Sequence, residues 1–250
     1  MKKKLVLLGI VSLTILGCQQ NNKKLNLKEV NTIITNGIIV TVDSASSLYP
    51  DGAIAIDGDK IIAIGTSAEI SNKYQSQNVI DAKGKIVMPG MVNCHTHLSM
   101  TLFRGLADDL QLQDWLTKYI FPAEADFMNE EAVELGSQLA MIEMIHSGTT
   151  TFNDMYFYED KVAQVAKKIG MRGVVSESLI DLPVPNSKNS DEGIAYIRKM
   201  VGKYKNDSLI TVGLAVHSPY TCGPELIKKA KKVATELKLN FHMHIAETKW

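Results

Sequence analysis

From Ile86 to the end of the chain, short β-rich runs alternate with segments whose apolar residues recur at steps of three and four, a rhythm that few architectures accept. Ile86 to Asn93 reads as a strand. Ala132, Leu135, Leu139 and Ile142 mark a helix ending at Gly148, and Thr149 to Asp154 a second strand. Val162, Val165, Ala166 and Ile169, closed by Gly170, precede a strand over Arg172 to Ile180. Ile194, Ile197, Val201 and Tyr204 precede Leu209 to Val216; Leu226, Ala230, Val233 and Leu237 precede Phe241 to Ala246. Pro224 suits the first turn of the last helix, where its missing N–H costs nothing. Five strands alternating with four helices predict an α/β fold with a parallel sheet. A (β/α)8 TIM-type barrel needs eight such units, so the expectation is a barrel of which only the first five strands are present, over residues 86–250. An open doubly wound sheet is disfavoured because no glycine-rich phosphate loop follows the first strand.

Residues 31–85 have a different texture. Thr32 to Thr35, Gly37 to Val42, Ala53 to Ile56 and Lys60 to Ile64 are strand-like, and Asp57-Gly58 between two of them predicts a hairpin with positive φ at both central residues. Such a small antiparallel sheet buries little alone and is expected to be the N-terminal part of a composite β-sandwich subdomain.

The first eighteen residues have the layout of a secretory signal: Lys2, Lys3 and Lys4, the apolar run Leu5 to Leu16, then Gly17-Cys18. Ile15-Leu16-Gly17-Cys18 resembles a bacterial lipoprotein cleavage box, although Leu16 is bulkier than the residue usual there. That resemblance implies lipidation at Cys18, a polar tether over 19–30, and a membrane-anchored protein on the extracytoplasmic or periplasmic face of the bacterial cell envelope. A plain cleaved signal or an uncleaved anchor is the alternative. Removing the three lysines leaves a mildly acidic chain, net charge about −3. With 27 basic and 27 acidic side chains in all and no basic run interleaved with aromatics, nucleic acid is not an expected partner. Cys94 and Cys222, the other two cysteines, are read as small buried residues beside strands rather than as a disulfide framework.

The chemistry concentrates at strand ends. In Asn93-Cys94-His95-Thr96-His97 the two histidines share one face of a strand and can hold one metal ion through imidazole nitrogen. A second pair, His242 and His244, ends the fifth strand. One of these can be a metal ligand and the other a lower-layer residue satisfied by hydrogen bonds. Strict alternation turns Glu247 away from His244, so a catalytic role for Glu247 requires the chain to bend there.

Together, Pro89-Gly90-Met91-Val92-Asn93-Cys94-His95-Thr96-His97, Gly148-Thr149-Thr150-Thr151-Phe152-Asn153-Asp154-Met155-Tyr156, His217-Ser218-Pro219-Tyr220-Thr221-Cys222 and His244-Ile245-Ala246-Glu247-Thr248 resemble the amidohydrolase superfamily. The resemblance is strongest to its branch of 5-methylthioadenosine/S-adenosylhomocysteine deaminases and related chlorohydrolases. It implies His95, His97 and His244 as ligands of one divalent metal ion, zinc with iron as the alternative. Glu247 is implied as the catalytic carboxylate that shuttles a proton between water and a ring nitrogen. Trp115, Glu124 and His217 are implied as substrate-binding residues, Glu124 accepting hydrogen bonds from ribose hydroxyls and His217 contacting the purine. The 33 residues from Leu98 to Glu130 are long for a βα loop and suggest a lid. The implied reaction is hydrolytic deamination of an adenine nucleoside (5-methylthioadenosine, S-adenosylhomocysteine or adenosine) to the inosine analogue plus ammonia. Hydrolytic dechlorination or deamination of triazine-like rings is the nearest rival, and a non-catalytic envelope lipoprotein of the same fold is the rival from another class. No lysine lies in Leu209 to Val216, where two-metal relatives carry a bridging one, so a single metal is expected. Ser176-Glu177 stands where some relatives that take carboxylate-bearing nucleosides have arginine, which favours 5-methylthioadenosine over S-adenosylhomocysteine. The family's later metal-binding aspartate and a further histidine would lie past Trp250, so these 250 residues alone are expected to be inactive. Homo-oligomerisation is left open. Asp154 reads as either a supporting partner or a cap. Lys228, Lys229, Lys231 and Lys232 read as a solvated helix face, and His146 as a helix-end cation.

Overall fold

The structure, a computed structural model, describes residues 26–248, so the expected signal, the expected lipidation at Cys18 and most of the expected tether fall outside the described residues. The chain forms two compact units that meet in sequence at Pro89 and Gly90. No helix of the described residues is long and apolar enough to cross a membrane.

In the first unit the elements are β1 (Lys28–Glu29), β2 (Thr32–Val40), β3 (Leu48–Asp57), β4 (Lys60–Thr66), α1 (Ser67–Ser71), β5 (Tyr74–Gln75), β6 (Val79–Asp81) and β7 (Ile86–Val87). β3 runs antiparallel to both β2 and β4, but β6 and β7 pair with β2 in parallel, so the sheet is mixed where a wholly antiparallel one was expected. Asp57 pairs with Lys60, which makes Gly58-Asp59 the hairpin loop, and only Gly58 has positive φ, +59°. The turn therefore uses its glycine first, and Asp57 is the last strand residue. Lys28 and Glu29 pair with Tyr74 and Gln75, and Val30 is 4% exposed; the fold thus begins inside the stretch expected to be tether. Ile86 and Val87 pair with Ile38 and Ile39, so the run expected as one barrel strand is split, and the barrel part starts after Pro89.

The second unit contains β8 (Met91–Thr96), α2 (Leu112–Trp115), α3 (Phe121–Phe127), α4 (Glu130–His146), β9 (Thr149–Tyr156), α5 (Glu159–Ile169), β10 (Arg172–Leu179), α6 (Ser190–Lys203), β11 (Ile210–Val216), α7 (Pro224–Leu237) and β12 (Asn240–His242). The strands lie in sequence order from β8 to β12, every pair parallel. This is the first five strands of a (β/α)8 barrel, a half-barrel. Local chemistry sets the helix limits: Asn129 and Asn189 accept the first free amides of α4 and α6, and Gly170 closes α5 at φ +86°. Phe152 and Val175 pack with α5 residues Val162 and Ala166; Leu214 packs with α7 residues Leu226 and Ala230.

Helix α4 turns a different face inward than its apolar spacing suggested. Leu135, Leu139 and Ile142 are 54%, 39% and 51% exposed, whereas Val133, Gly136, Ser137, Ala140, Met141 and Met144 are buried. Small residues, Gly136, Ser137 and Ala140, stand at the middle of the buried stripe, where a second layer presses on it: a Cβ at Gly136 would stand 2.5 Å from the Ser99 carbonyl oxygen. Cys94, on the edge strand β8, is exposed and only Cys222 is buried, which corrects the expectation of two buried thiols; both are free.

Candidate active site

The side chains of interest cluster where the second unit's strands end, the face on which a barrel's loops converge. Thr96 ends β8 and His97 follows it; Tyr156 ends β9; His217 follows β11; His244 stands two residues past β12. The excursion after β8 is ordered: a 3-10 turn over Leu98–Phe103, α2, a π turn over Leu116–Ile120 and α3. Met100, Trp115, Ile120, Phe121 and Glu124 from this excursion wall a cavity of about 220 Å³ that is also lined by the histidines. The long connection thus supplies one wall of the pocket.

The donor nitrogens of His95, His97 and His244 all lie within 4.8 Å of one another. His95 Nε2 and His97 Nε2 are 3.3 Å apart. Two nitrogens each about 2.0–2.1 Å from one tetrahedral metal ion would stand roughly 3.4 Å apart, so the pair fits a shared divalent ion. His97 Nδ1 donates to the Met155 carbonyl at 2.6 Å, which puts its hydrogen on Nδ1 and leaves the Nε2 lone pair for a cation. Burial, and then the His97 ring, hold the His244 imidazole below its ordinary pKa and so deprotonated for the same purpose. His242 is the lower-layer histidine: its Nε2 bonds Ser176 Oγ at 2.5 Å.

Glu247 reaches the same cavity because β12 stops at His242, so that alternation no longer applies to the residues beyond it. Two contacts set this end of the chain. The His244 amide donates to the His217 carbonyl at 3.0 Å, and Tyr220 Oη donates to Glu247 Oε2 at 2.7 Å. Burial, together with Glu247, pushes the Tyr220 phenol up to about 12, so it remains a donor.

His217 is held by Thr221 Oγ1, 2.8 Å from its Nδ1, leaving Nε2 for a ligand. Burial first, then His244 and His97, lower its pKa to about 4, so it is neutral in this wall. Glu124, on α3, is 5% exposed, and burial pushes its carboxyl up to about 7 despite a hydrogen bond donated by Tyr156 Oη at 2.7 Å. Trp115 is half-buried at the end of α2 and lines the cavity.

Every barrel residue singled out in the sequence for metal, proton transfer or substrate contact therefore meets in one cavity. Tyr156 and Tyr220 were not singled out, although each lies in a strand-end motif where a phenol has a functional position available. Beside the cavity, an apolar annex of about 260 Å³ shares Phe121, Glu124, Phe157 and Ile180 with it and extends to Leu182 and Val184.

The amidohydrolase family profile matches residues 86–250. Over 221 residues the chain is 44% identical to 5-methylthioadenosine/S-adenosylhomocysteine deaminase 1 of Syntrophus aciditrophicus, covering 88% of this chain and 50% of that protein. The crystal structure of an adenosine deaminase from Xanthomonas campestris with bound zinc superposes with a TM-score of 0.86 at 33% identity, over 89% of this chain and 51% of that one. A triazine hydrolase from Arthrobacter aurescens shares the fold, with a TM-score of 0.74 at 20% identity over 85% of this chain and 52% of that one. The chain spans about half the length of the curated relatives it matches.

Proposed function

Because the chain belongs to the amidohydrolase family, we propose that this site takes part in metal-assisted hydrolytic deamination of an adenine nucleoside, with 5-methylthioadenosine as its best-fitting substrate. The observation that carries the reading is the convergence of His95, His97 and His244 nitrogens with the Glu247 carboxylate in the cavity that Glu124 and His217 also line. The 44%-identical relative named for this activity and the zinc-bearing adenosine deaminase support it.

A divalent ion, zinc in this proposal, would be held by His95, His97 and His244 and supplies the Lewis acidity that makes water a nucleophile near neutral pH. Glu247 Oε accepts a proton from the attacking water and delivers it to the purine ring nitrogen next to the carbon that bears the amine. It then moves a second proton to the departing nitrogen, so one water is consumed and one ammonia released for each 6-oxo product. Tyr220 Oη orients that carboxylate throughout. Neutral His217 presents Nε2 to the base. Glu124, buried and tethered by Tyr156, accepts from the ribose hydroxyls, while the excursion carrying Trp115 excludes bulk water. The annex beside Glu124 has apolar walls and no cation among its described lining residues, which favours a methylthio group over an amino-acid substituent at the 5′ position.

The test is ammonia release from 5-methylthioadenosine, adenosine and S-adenosylhomocysteine by zinc-loaded protein from the complete reading frame. The expected order is 5-methylthioadenosine first and S-adenosylhomocysteine last. Silence with all three despite bound zinc overturns the reading. Envelope anchoring through Cys18 is part of the same proposal, supported by the layout of residues 1–18; labelling with a radioactive fatty acid that Cys18→Ala abolishes is the expected result.

A further inference from the structure

Three carboxylic side chains are buried in the second unit away from the cavity: Asp154 on β9, Glu159 at the start of α5 and Glu177 on β10, with 0%, 0% and 1% exposure. None of the ion pairs or hydrogen bonds among the described residues brings a lysine, arginine or histidine side chain to any of them. Charged carboxylates so placed without a cation are costly, and the economical solution is to hold protons. Asp154 and Glu177 have distinct partners. Asp154 Oδ1 accepts from Thr96 Oγ1 at 2.6 Å and from the Leu98 amide at 2.9 Å. Glu177 Oε2 accepts from the Glu159 amide at 3.1 Å and its Oε1 from Asn186 Nδ2 at 2.7 Å. That leaves Asp154 Oδ2 and both Glu159 carboxyl oxygens without a partner.

One proton resolves two of these three orphans. Asp154 and Glu159 are fully buried neighbours whose carboxyls act on one another, and each has an oxygen with no other partner; a protonated Glu159 would donate to an ionised Asp154, which already accepts two other hydrogen bonds. The backbone is arranged for this contact. Tyr158, immediately before α5, adopts φ +56°, a strained conformation for a tyrosine, and Glu177 fixes the Glu159 amide, which aims the Glu159 side chain back toward β9. The far side of Asp154 explains the purpose. Thr96 and Leu98 flank His97 in the chain, and the residue after Asp154, Met155, accepts from the His97 ring. Two consecutive β9 residues therefore hold His97 by its ring and by both backbone neighbours.

We propose that Asp154 and Glu159 share a single proton, and that this acid pair is the positioning unit which fixes His97 in the geometry a divalent cation requires. The proposal rests on the metal-site reading above. Neither acid touches the cavity, so both act through the chain on either side of His97.

Cobalt(II) titration of the metal-free protein, with the visible spectrum reporting coordination geometry, tests the positioning. Glu159→Gln keeps a donor to Asp154 and is expected to bind within about threefold of wild type with an unchanged spectrum. Glu159→Leu, which offers no donor, and Asp154→Asn, which removes the charge, are expected to weaken cobalt binding about 10–100-fold and to alter the spectrum. Thr96→Val, which removes one hydrogen bond to Asp154 while leaving both acids in place, is expected to fall between them and serves if the acid variants fail to fold. Wild-type affinity and spectrum in Asp154→Asn and Thr96→Val overturn the positioning role. The shared proton has its own readout: a protonated-carboxyl infrared component at pH 7 that wild type has and Glu159→Gln lacks, the bands of Glu177 and Glu124 being common to both proteins and cancelling in the difference spectrum. Absence of that component in wild type overturns the proton sharing. Failure of wild type to bind cobalt while the component is present would place the fault in the metal-site reading, and the positioning role would fall with it.

Discussion

Glu247 and Glu124 are both carboxylates of one cavity, yet their surroundings give them different work. Glu247 is exposed and oriented by a phenol, which suits the proton transfer proposed for it; Glu124 is buried against Tyr156, which suits the fixed acceptor proposed for it. Glu247→Gln is expected to lower kcat by at least about 100-fold, and up to 10⁴-fold, with metal content unchanged by elemental analysis. Since burial sets the Glu124 pKa at about 7, its acceptor strength should fade as pH drops below that value. KM for 5-methylthioadenosine is therefore expected to rise between pH 7 and pH 5.5, and KM for its 2′,3′-dideoxy analogue to stay flat. Much of this residue-scale picture was legible. His95, His97, His244 and Glu247 declared themselves through spacing and resemblance. Tyr156 and Tyr220 did not, because a phenol that orients a carboxylate across tens of residues leaves no periodic trace; nor did the burial of Glu159 and Glu177, which is set by what packs over them.

Among the elements, β12 and α4 teach opposite lessons. The expectation that Glu247 needs a bend was answered by a strand three residues long, far shorter than its apolar run suggested. For α4 the boundaries were readable from Gly148 and the three-four spacing, but the inward face was not. Apolar residues occupy most of its circumference, and close approach to the turn over Leu98–Phe103 selected the small side chains. Gly136→Ala is accordingly expected to force Ser99 and its turn outward, destabilising the protein by about 1–3 kcal/mol in denaturant unfolding and raising KM through Met100. Leu139→Ala, on the exposed side of the same helix, is expected to change stability by less than about 0.5 kcal/mol.

For the molecule as a whole, the buried acids shape how stability responds to pH. Burial raises Glu177 to about 8 and Glu124 to about 7 from an ordinary value of 4.5, so the folded state keeps protons that the unfolded chain gives up. Their contribution is full below about pH 4.5 and is lost as pH rises through 7 and 8, by as much as about 1.4 kcal/mol per unit for each group. His217, lowered to about 4 from 6.5, works in the opposite sense, and stability gains from it as pH climbs from 4 to 6.5. The two trends offset one another in part below 6.5, and above it the acids act alone. The melting temperature of metal-free protein is expected to fall between pH 6.5 and 8, and Glu177→Gln to flatten that decline. Asn186 can accommodate the change by turning its amide, since its Oδ1 has no partner.

The connection from β11 to α7 holds both His244, through the His217 carbonyl, and Glu247, through Tyr220. A single turn of chain thus works as a ruler laid between the cation seat and the proton carrier of the proposed reaction. Lengthening or stiffening it between His217 and Tyr220 would retune the spacing of two reactive groups without altering either one, which makes this turn the place where selection, or an engineer, could adjust the site for a ring of another size.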